Sequence, residues 1–458
     1  MVFSSLIFLF RFLPLFFLGY YLAPGRYKNA VLLAASVFFY SWGEPRFLLV
    51  IFASVLVDYF ASRGIAASGE NKARRRFFLG CSLIFNIGAL LFFKYMDFFI
   101  ANINAVTGLS LPFLRLTLPL GISFYTFQTL SYTIDVYRGK VAAEHNFVDF
   151  AAFVTMFPQL IAGPIVTYLD IAKELKKRAV TAADAAQGLR LFILGLGKKV
   201  LLANNIGLLW EDVSALDPAS LSAPLAWLGA LAFGLQIYFD FSGYSLMAIG
   251  LGRMLGFSFP QNFNYPYLSR SISEFWRRWH MTLGSWFREY VYIPLGGNRK
   301  GRGRTLLNLL AVWFLTGFWH GASYNFILWG LMFFTLILLE KNGLGGFLER
   351  HRIFSHLYTL FFVAVSWVIF ALTDFSAMGA YLGRMFSFCG GADWIYPLLN
   401  YGVLLLLCVV CSTGLMARAH CWLQKRPGLW NALLVVLLLL SVAYLVDDTF
   451  NPFLYFRF

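Results

Sequence analysis

Apolar stretches of roughly 17–25 residues follow one another from end to end of this chain, the length a helix needs to cross ~30 Å of hydrocarbon. No other feature constrains the fold so tightly. In hydrocarbon every backbone N–H and C=O must find its partner within the chain, and a helix satisfies that demand segment by segment. The chain is 59% hydrophobic and only 13% charged over 458 residues, and no polar stretch is long enough for a water-soluble domain of ordinary size. The expectation is an all-α polytopic membrane protein occupying residues 1–458 as a single membrane domain.

Charge placement gives the threading. The net charge of +15 does not point to nucleic acid, because Lys and Arg cluster between apolar segments, at 63–76, 173–178, 277–304, 341–352 and 418–426. The acidic connections are different ones: Glu211, Asp212 and Asp217, then Asp374 and Asp393, then Asp447 and Asp448. That asymmetry is the positive-inside pattern of a multi-pass membrane protein. Threading the chain through it places the C-terminus on the extracytoplasmic side. It predicts ten to twelve spans, with 306–339 an out-and-back hairpin and 147–168 entering the membrane without a clean crossing, since Pro158 and Pro164 break a helix. The opening residues 3–23 read as a first membrane helix and not as a removed signal peptide. Five scattered cysteines (Cys81, Cys389, Cys408, Cys411, Cys421) argue against a disulfide framework or a zinc site, so no metal is expected.

Two histidines stand out against this background. His320 lies inside the apolar run 306–339, and a titratable imidazole at membrane depth is costly enough to mark a functional site. A histidine that ties two helices together by hydrogen bonds is the plainer alternative. His280 follows Trp276-Arg277-Arg278-Trp279. From Ser273, the residues Trp276, Trp279, Leu283, Trp286 and Phe287 recur at three-or-four spacing with His280 on the same face, which predicts one amphipathic helix at the inner membrane surface. The tryptophans alone would also suit an interfacial belt. The basic loop 299–304 suits either a phosphorylated donor or anionic headgroups. The remaining histidines, His145, His351, His356 and His420, sit in or beside basic or loop segments and are expected to be solvated. Asp135 and Asp240 are candidate buried acids pairing with neighbouring helices. No internal repeat or matched pair of broken helices appears, which weakens a transporter or flippase reading.

Five blocks in order carry a resemblance: Pro119-Leu120-Gly121-Ile122-Ser123-Phe124-Tyr125-Thr126-Phe127-Gln128, Phe157-Pro158-Gln159-Leu160-Ile161-Ala162-Gly163-Pro164-Ile165, Tyr238-Phe239-Asp240-Phe241-Ser242-Gly243-Tyr244-Ser245, Asn262-Phe263-Asn264-Tyr265-Pro266-Tyr267 and Phe318-Trp319-His320-Gly321. The chain resembles the bacterial membrane-bound O-acyltransferases (MBOAT), in the branch that contains the alginate O-acetylation membrane subunit. The resemblance implies a funnel of helices with re-entrant and interfacial segments, a catalytic core at about 112–341, and the catalytic pair His280 and His320. In several eukaryotic relatives the first of the pair is Asn, so His280 places the chain in the polysaccharide-modifying branch. His320 is assigned as base, and His280 as the group that positions the donor or stabilises the intermediate. Trp276, Trp279, Trp319 and Asp240 are the expected substrate-binding residues. The implied donor is a cytosolic thioester, acetyl-CoA, with no permanently bound cofactor. D-alanyl or lipid O-acylation within the same fold is the alternative chemistry.

The C-terminal tail, 449–458, is aromatic and follows Asp447 and Asp448. Its Tyr455 reads either as an anchor at the outer interface or as a relay that receives the acyl group as a phenyl ester, a phenol being easier to deprotonate than a sugar hydroxyl. The chain has no Gly-x-Ser-x-Gly elbow. A separate extracytoplasmic transferase of SGNH-hydrolase type is the implied partner, beside the lipid bilayer itself.

Overall fold

A computed structural model describes residues 1–161 and 163–447, so Tyr455 and the aromatic tail lie outside the described residues. Among the described residues every regular element is helical. Seven of the described helices are long and apolar enough to cross a membrane, and eight if the bent pair Ile395–Cys411 and Leu415–Gln424, which turns by 74°, counts as one span. The sequence expectation of ten to twelve also counted shorter pieces. The apolar stretch 113–137 is helical only from Ile122 to Tyr137, and the first apolar helix is Phe8–Leu22. At about 1.5 Å per residue such helices fall short of a full crossing. The segment 147–168 is broken as its prolines require, into Phe147–Thr155 and Phe157–Leu160.

The backbone divides into two compact units, one made of Met1–Phe192 with Met247–Pro260, the other of Ile193–Leu246 with the chain from Gln261 onward. In the first unit a buried polar knot joins the helices Leu48–Ala67, Lys72–Thr107 and Ile122–Tyr137. The Asp58 carboxylate accepts from Asn86 Nδ2 (2.6 Å), Thr133 Oγ1 (2.6 Å) and Ser82 Oγ. Such a knot gives apolar helices a unique register, because any slip strands a carboxylate in a dry interior. Two of the sequence blocks meet in this unit. Gly121 has φ +72°, and a Cβ there would lie 2.5 Å from the carbonyl oxygen of Leu160. Only glycine allows the first block to turn against the second.

In the second unit the stretch 306–339, expected as an out-and-back hairpin, is two helices, Gly301–His320 and Tyr324–Leu339, of which the second but not the first belongs to a segment long and apolar enough to cross a membrane. The two helices approach at glycines: a Cβ on Gly317 would be 2.3 Å from the Phe326 carbonyl oxygen, and one on Gly330 2.4 Å from that of Trp313. Close approach at small residues is how helices associate where burial from water contributes little. Gly243 of the third block plays the same part, 2.7 Å (from its would-be Cβ) from the Gly195 carbonyl oxygen.

Candidate functional site

The expected continuous amphipathic helix is two short ones, Ile272–Arg278 and Met281–Phe287, broken at Trp279 and His280. His280 has φ +44° and ψ +51°, a left-handed conformation that a non-glycine residue adopts only under constraint. Periodicity alone misses this break, because three-or-four spacing runs on through it.

The constraint comes from the fourth sequence block. Asn264 N–H donates to the Arg278 carbonyl (2.9 Å) and Met281 N–H to that of Asn262 (3.0 Å), so residues 262–264 clamp both sides of the break. The Asn262 side chain does more. Its Oδ1 accepts from the Thr282 N–H (3.3 Å) and the Thr282 hydroxyl (2.9 Å), and lies 3.1 Å from His280 Nδ1. A backbone N–H can only donate, so the amide atom facing it is oxygen, and His280 Nδ1 must carry the proton. The lone pair is thereby fixed on Nε2, which is buried and has no hydrogen-bond partner. Trp279 and His280 belong to none of the spanning helices. Burial, with the nearby His320 adding to it, holds the His280 imidazole well below its ordinary pKa, so it is neutral at pH 7.

From the other end, the Glu340 carboxylate caps the first short helix. It accepts from the N–H groups of Ile272 (2.6 Å) and Ser273 (2.9 Å) and from the Ser273 hydroxyl (2.6 Å). A carboxylate on a helix N-terminus satisfies orphan donors and complements the dipole, and here it also ties the histidine segment to the hairpin helix that ends at Leu339.

His320 ends its helix at the tip of the hairpin, buried, with Nδ1 2.7 Å from the Thr316 carbonyl. A carbonyl can only accept, so this ring too carries its proton on Nδ1 and its lone pair on Nε2. Trp319 bridges the pair, its ring 6.2 Å from that of His280 and 5.0 Å from that of His320. Phe241 closes against His280 at 4.7 Å, and Trp329 and Phe370 against His320 at 4.9 and 5.5 Å. Asn325 Nδ2 holds Phe370 in place by donating to the terminal carbonyls of Ile369 and Phe370, each at 3.1 Å.

The other expected residues fall as follows. Trp276 packs against Trp313, Trp329 and Phe333, and Trp279 against Phe263 and Trp367. Asp240 forms a buried ion pair with Lys199 at 2.8 Å, while the ring beside it in sequence, Phe241, is the one that meets His280. Asp135 is buried and His145 and His351 exposed, as expected. His356 and His420 are partly buried and bonded, to the Ser269 carbonyl and to Gln424, where solvation was expected. Sequence reading missed the Asn262 side chain, Glu340 and Trp329. Asn262 stood in a recognised block without a role, and Glu340 was visible as an acid closing an apolar run.

The arrangement has the parts for acyl transfer: two buried imidazoles of one tautomer, and unpartnered buried donors on Trp276 Nε1, Trp329 Nε1 and Asn262 Nδ2. Comparison with known proteins agrees. The membrane-bound O-acyltransferase family (MBOAT) matches residues 140–380. Probable alginate O-acetylase AlgI of Pseudomonas putida is 39% identical over 492 residues, covering 100% of each chain. Peptidoglycan O-acetyltransferase of Helicobacter pylori is 37% identical, covering 81% of this chain and 77% of that one. Teichoic acid D-alanyltransferase of Bacillus subtilis is 27% identical, covering 55% and 68%.

Proposed function

Because the chain belongs to the membrane-bound O-acyltransferase family, and is a multi-pass membrane O-acyltransferase, we propose that it takes an acetyl group from cytosolic acetyl-CoA and passes it across the bacterial inner membrane for O-acetylation of a cell-envelope polysaccharide. The relatives that match over most of their length are named for acetylation of alginate or peptidoglycan, which favours a polymer of that kind. D-alanyl transfer rests on relatives that cover about half of the chain and is the weaker reading.

The observation that carries the proposal is the pair of buried histidines with Nδ1 occupied by fixed oxygen acceptors. In our reading His320 Nε2 takes the proton from the acceptor hydroxyl as its oxygen attacks the thioester carbonyl. The tetrahedral oxyanion collapses, the C–S bond breaks, and the proton returns to the thiolate leaving group, so that one ester and one thiol replace one thioester and one hydroxyl. Neutral His280 offers only an acceptor at Nε2, which suits it to positioning an amide N–H of the donor's arm. It becomes an oxyanion donor only once protonated. The indole N–H groups of Trp276 and Trp329 are donors suited to the acyl oxygen, and Trp279, Trp319 and Asp240 complete the proposed binding residues.

The acceptor reaching the site from outside is proposed to be Tyr455, on an extracytoplasmic C-terminus, with an SGNH-hydrolase-like acetyltransferase receiving the group from it. The test uses purified protein in nanodiscs with radiolabelled acetyl-CoA. Label retained on the wild-type chain and absent from Tyr455→Phe supports the relay, whereas equal label on both removes Tyr455 from the pathway and leaves the enzyme.

A further inference from the structure

Within the second unit a nearly wholly apolar groove of about 700 Å³ runs between the helices Ala223–Met254, Arg352–Ala371 and Ile395–Cys411. Along the middle helix it extends from His356 to Trp367, which at ~1.5 Å per residue is about 16 Å, the hydrocarbon depth of one leaflet. Leu357, at the His356 end, also lines a second cavity, of about 600 Å³, whose wall is Arg350, His351, Arg352, Ile353 and Phe354. An apolar slot one leaflet deep therefore opens at one end onto two arginines and a histidine.

That pairing selects the occupant. A hydrocarbon chain fits the slot, and a phosphate diester fits the basic end. We propose that the groove and the basic cavity together bind one anionic phospholipid from the leaflet facing the loop at 341–352, with an acyl chain along the slot and the phosphate against Arg350 and Arg352. Arg is suited to this, its planar guanidinium matching phosphate oxygens two at a time. A partner's transmembrane helix would fill an apolar slot equally well but has no use for a cationic cavity at its end.

The site bears on the histidines through one residue. Trp367 forms the deep wall of the groove, and its ring lies 4.9 Å from Trp279, the residue before His280, and 6.4 Å from Trp329, which packs on His320. A chain in the groove would hold Trp367, and with it Trp329 and Phe370, the rings that pack on His320.

The test is lipid retention by the full-length protein in mild detergent, followed by native mass spectrometry with added phosphatidylglycerol or phosphatidylcholine. The wild type is expected to hold one phosphatidylglycerol at least tenfold more tightly than phosphatidylcholine, with the preference shrinking as salt rises. The double variant Arg350→Gln/Arg352→Gln should lose that preference. Ala364→Trp, which fills the slot, should lower retention of both lipids. Leu357→Trp, at the exposed junction of the two cavities, blocks the path without burdening the core and serves if Ala364→Trp folds poorly. Equal retention of the two lipids by the wild type, or unchanged retention in the folded variants, would overturn the proposal and indicate bulk lipid only, or a partner helix in the slot.

Discussion

Replacing Asn262 by Ala tests how the site sets its proton. The substitution removes the oxygen that accepts from His280 Nδ1, from Thr282 N–H and from the Thr282 hydroxyl. The hydrogen bond to a neutral imidazole contributes ~1–1.5 kcal/mol, so its loss lets the two tautomers become comparably populated. The ring also loses a side-chain anchor that helps hold its left-handed backbone, and the Thr282 N–H and hydroxyl lose their bonds to Asn262 in a buried site. We take ~2–3 kcal/mol as the combined effect on transition-state stabilisation, roughly a 30- to 150-fold fall in kcat/KM. The assay is release of free thiol from acetyl-CoA by purified protein in nanodiscs, with melting monitored alongside. Asn262→Asp gives the sign. A carboxylate beside the ring favours imidazolium and raises the His280 pKa, so activity is lost at higher pH on acidification than in the wild type, whose burial holds that pKa below 6.5. A folded Asn262→Ala protein within twofold of wild type would refute the reasoning.

Other perturbations have defined outcomes. Gly317→Ala drives a Cβ to 2.3 Å from the Phe326 carbonyl oxygen and should lower stability by ~1–3 kcal/mol in thermal melts, while Gly303→Ala, with nothing within 4 Å, should be neutral or slightly stabilising. Glu340→Gln keeps part of the cap and should lower kcat/KM a few-fold, with Glu340→Ala clearly worse, as measured by the same thiol-release assay. Breaking the buried Lys199–Asp240 pair by either Lys199→Met or Asp240→Leu alone should cost ~3–5 kcal/mol in melting, and the double variant should recover most of it. Recovered stability without recovered activity would tie Asp240 to the substrate.

Much of this molecule was legible in its sequence because membranes simplify the code. The apolar stretches 223–252 and 429–446 are recognisable from length and apolarity alone, and the structure has helices at Ala223–Met254 and Pro427–Asp447. The hairpin carrying His320 was legible for the same reason. The break at Trp279–His280 was not, since it depends on backbone bonds from residues 262–264, and hydrophobic period carries no record of a distant clamp. Asn262 and Glu340 were hidden likewise. Each acts on a segment far along the chain, and only the fold puts their oxygens on those N–H groups. The short helix Ile122–Tyr137 was overestimated because residues 113–121 are apolar without being helical, a distinction hydropathy does not make.

The central claim is that His320 Nε2 is the base of an acyl transfer for which His280 sets the geometry. The most direct measurement is transfer of label from radiolabelled acetyl-CoA by wild type, His320→Ala and His280→Ala in nanodiscs, each shown by melting to be folded. Loss of a general base should lower the rate of His320→Ala by ~10²–10⁴-fold, with His280→Ala also strongly reduced. A folded His320→Ala protein that still transfers label within tenfold of wild type would contradict the account.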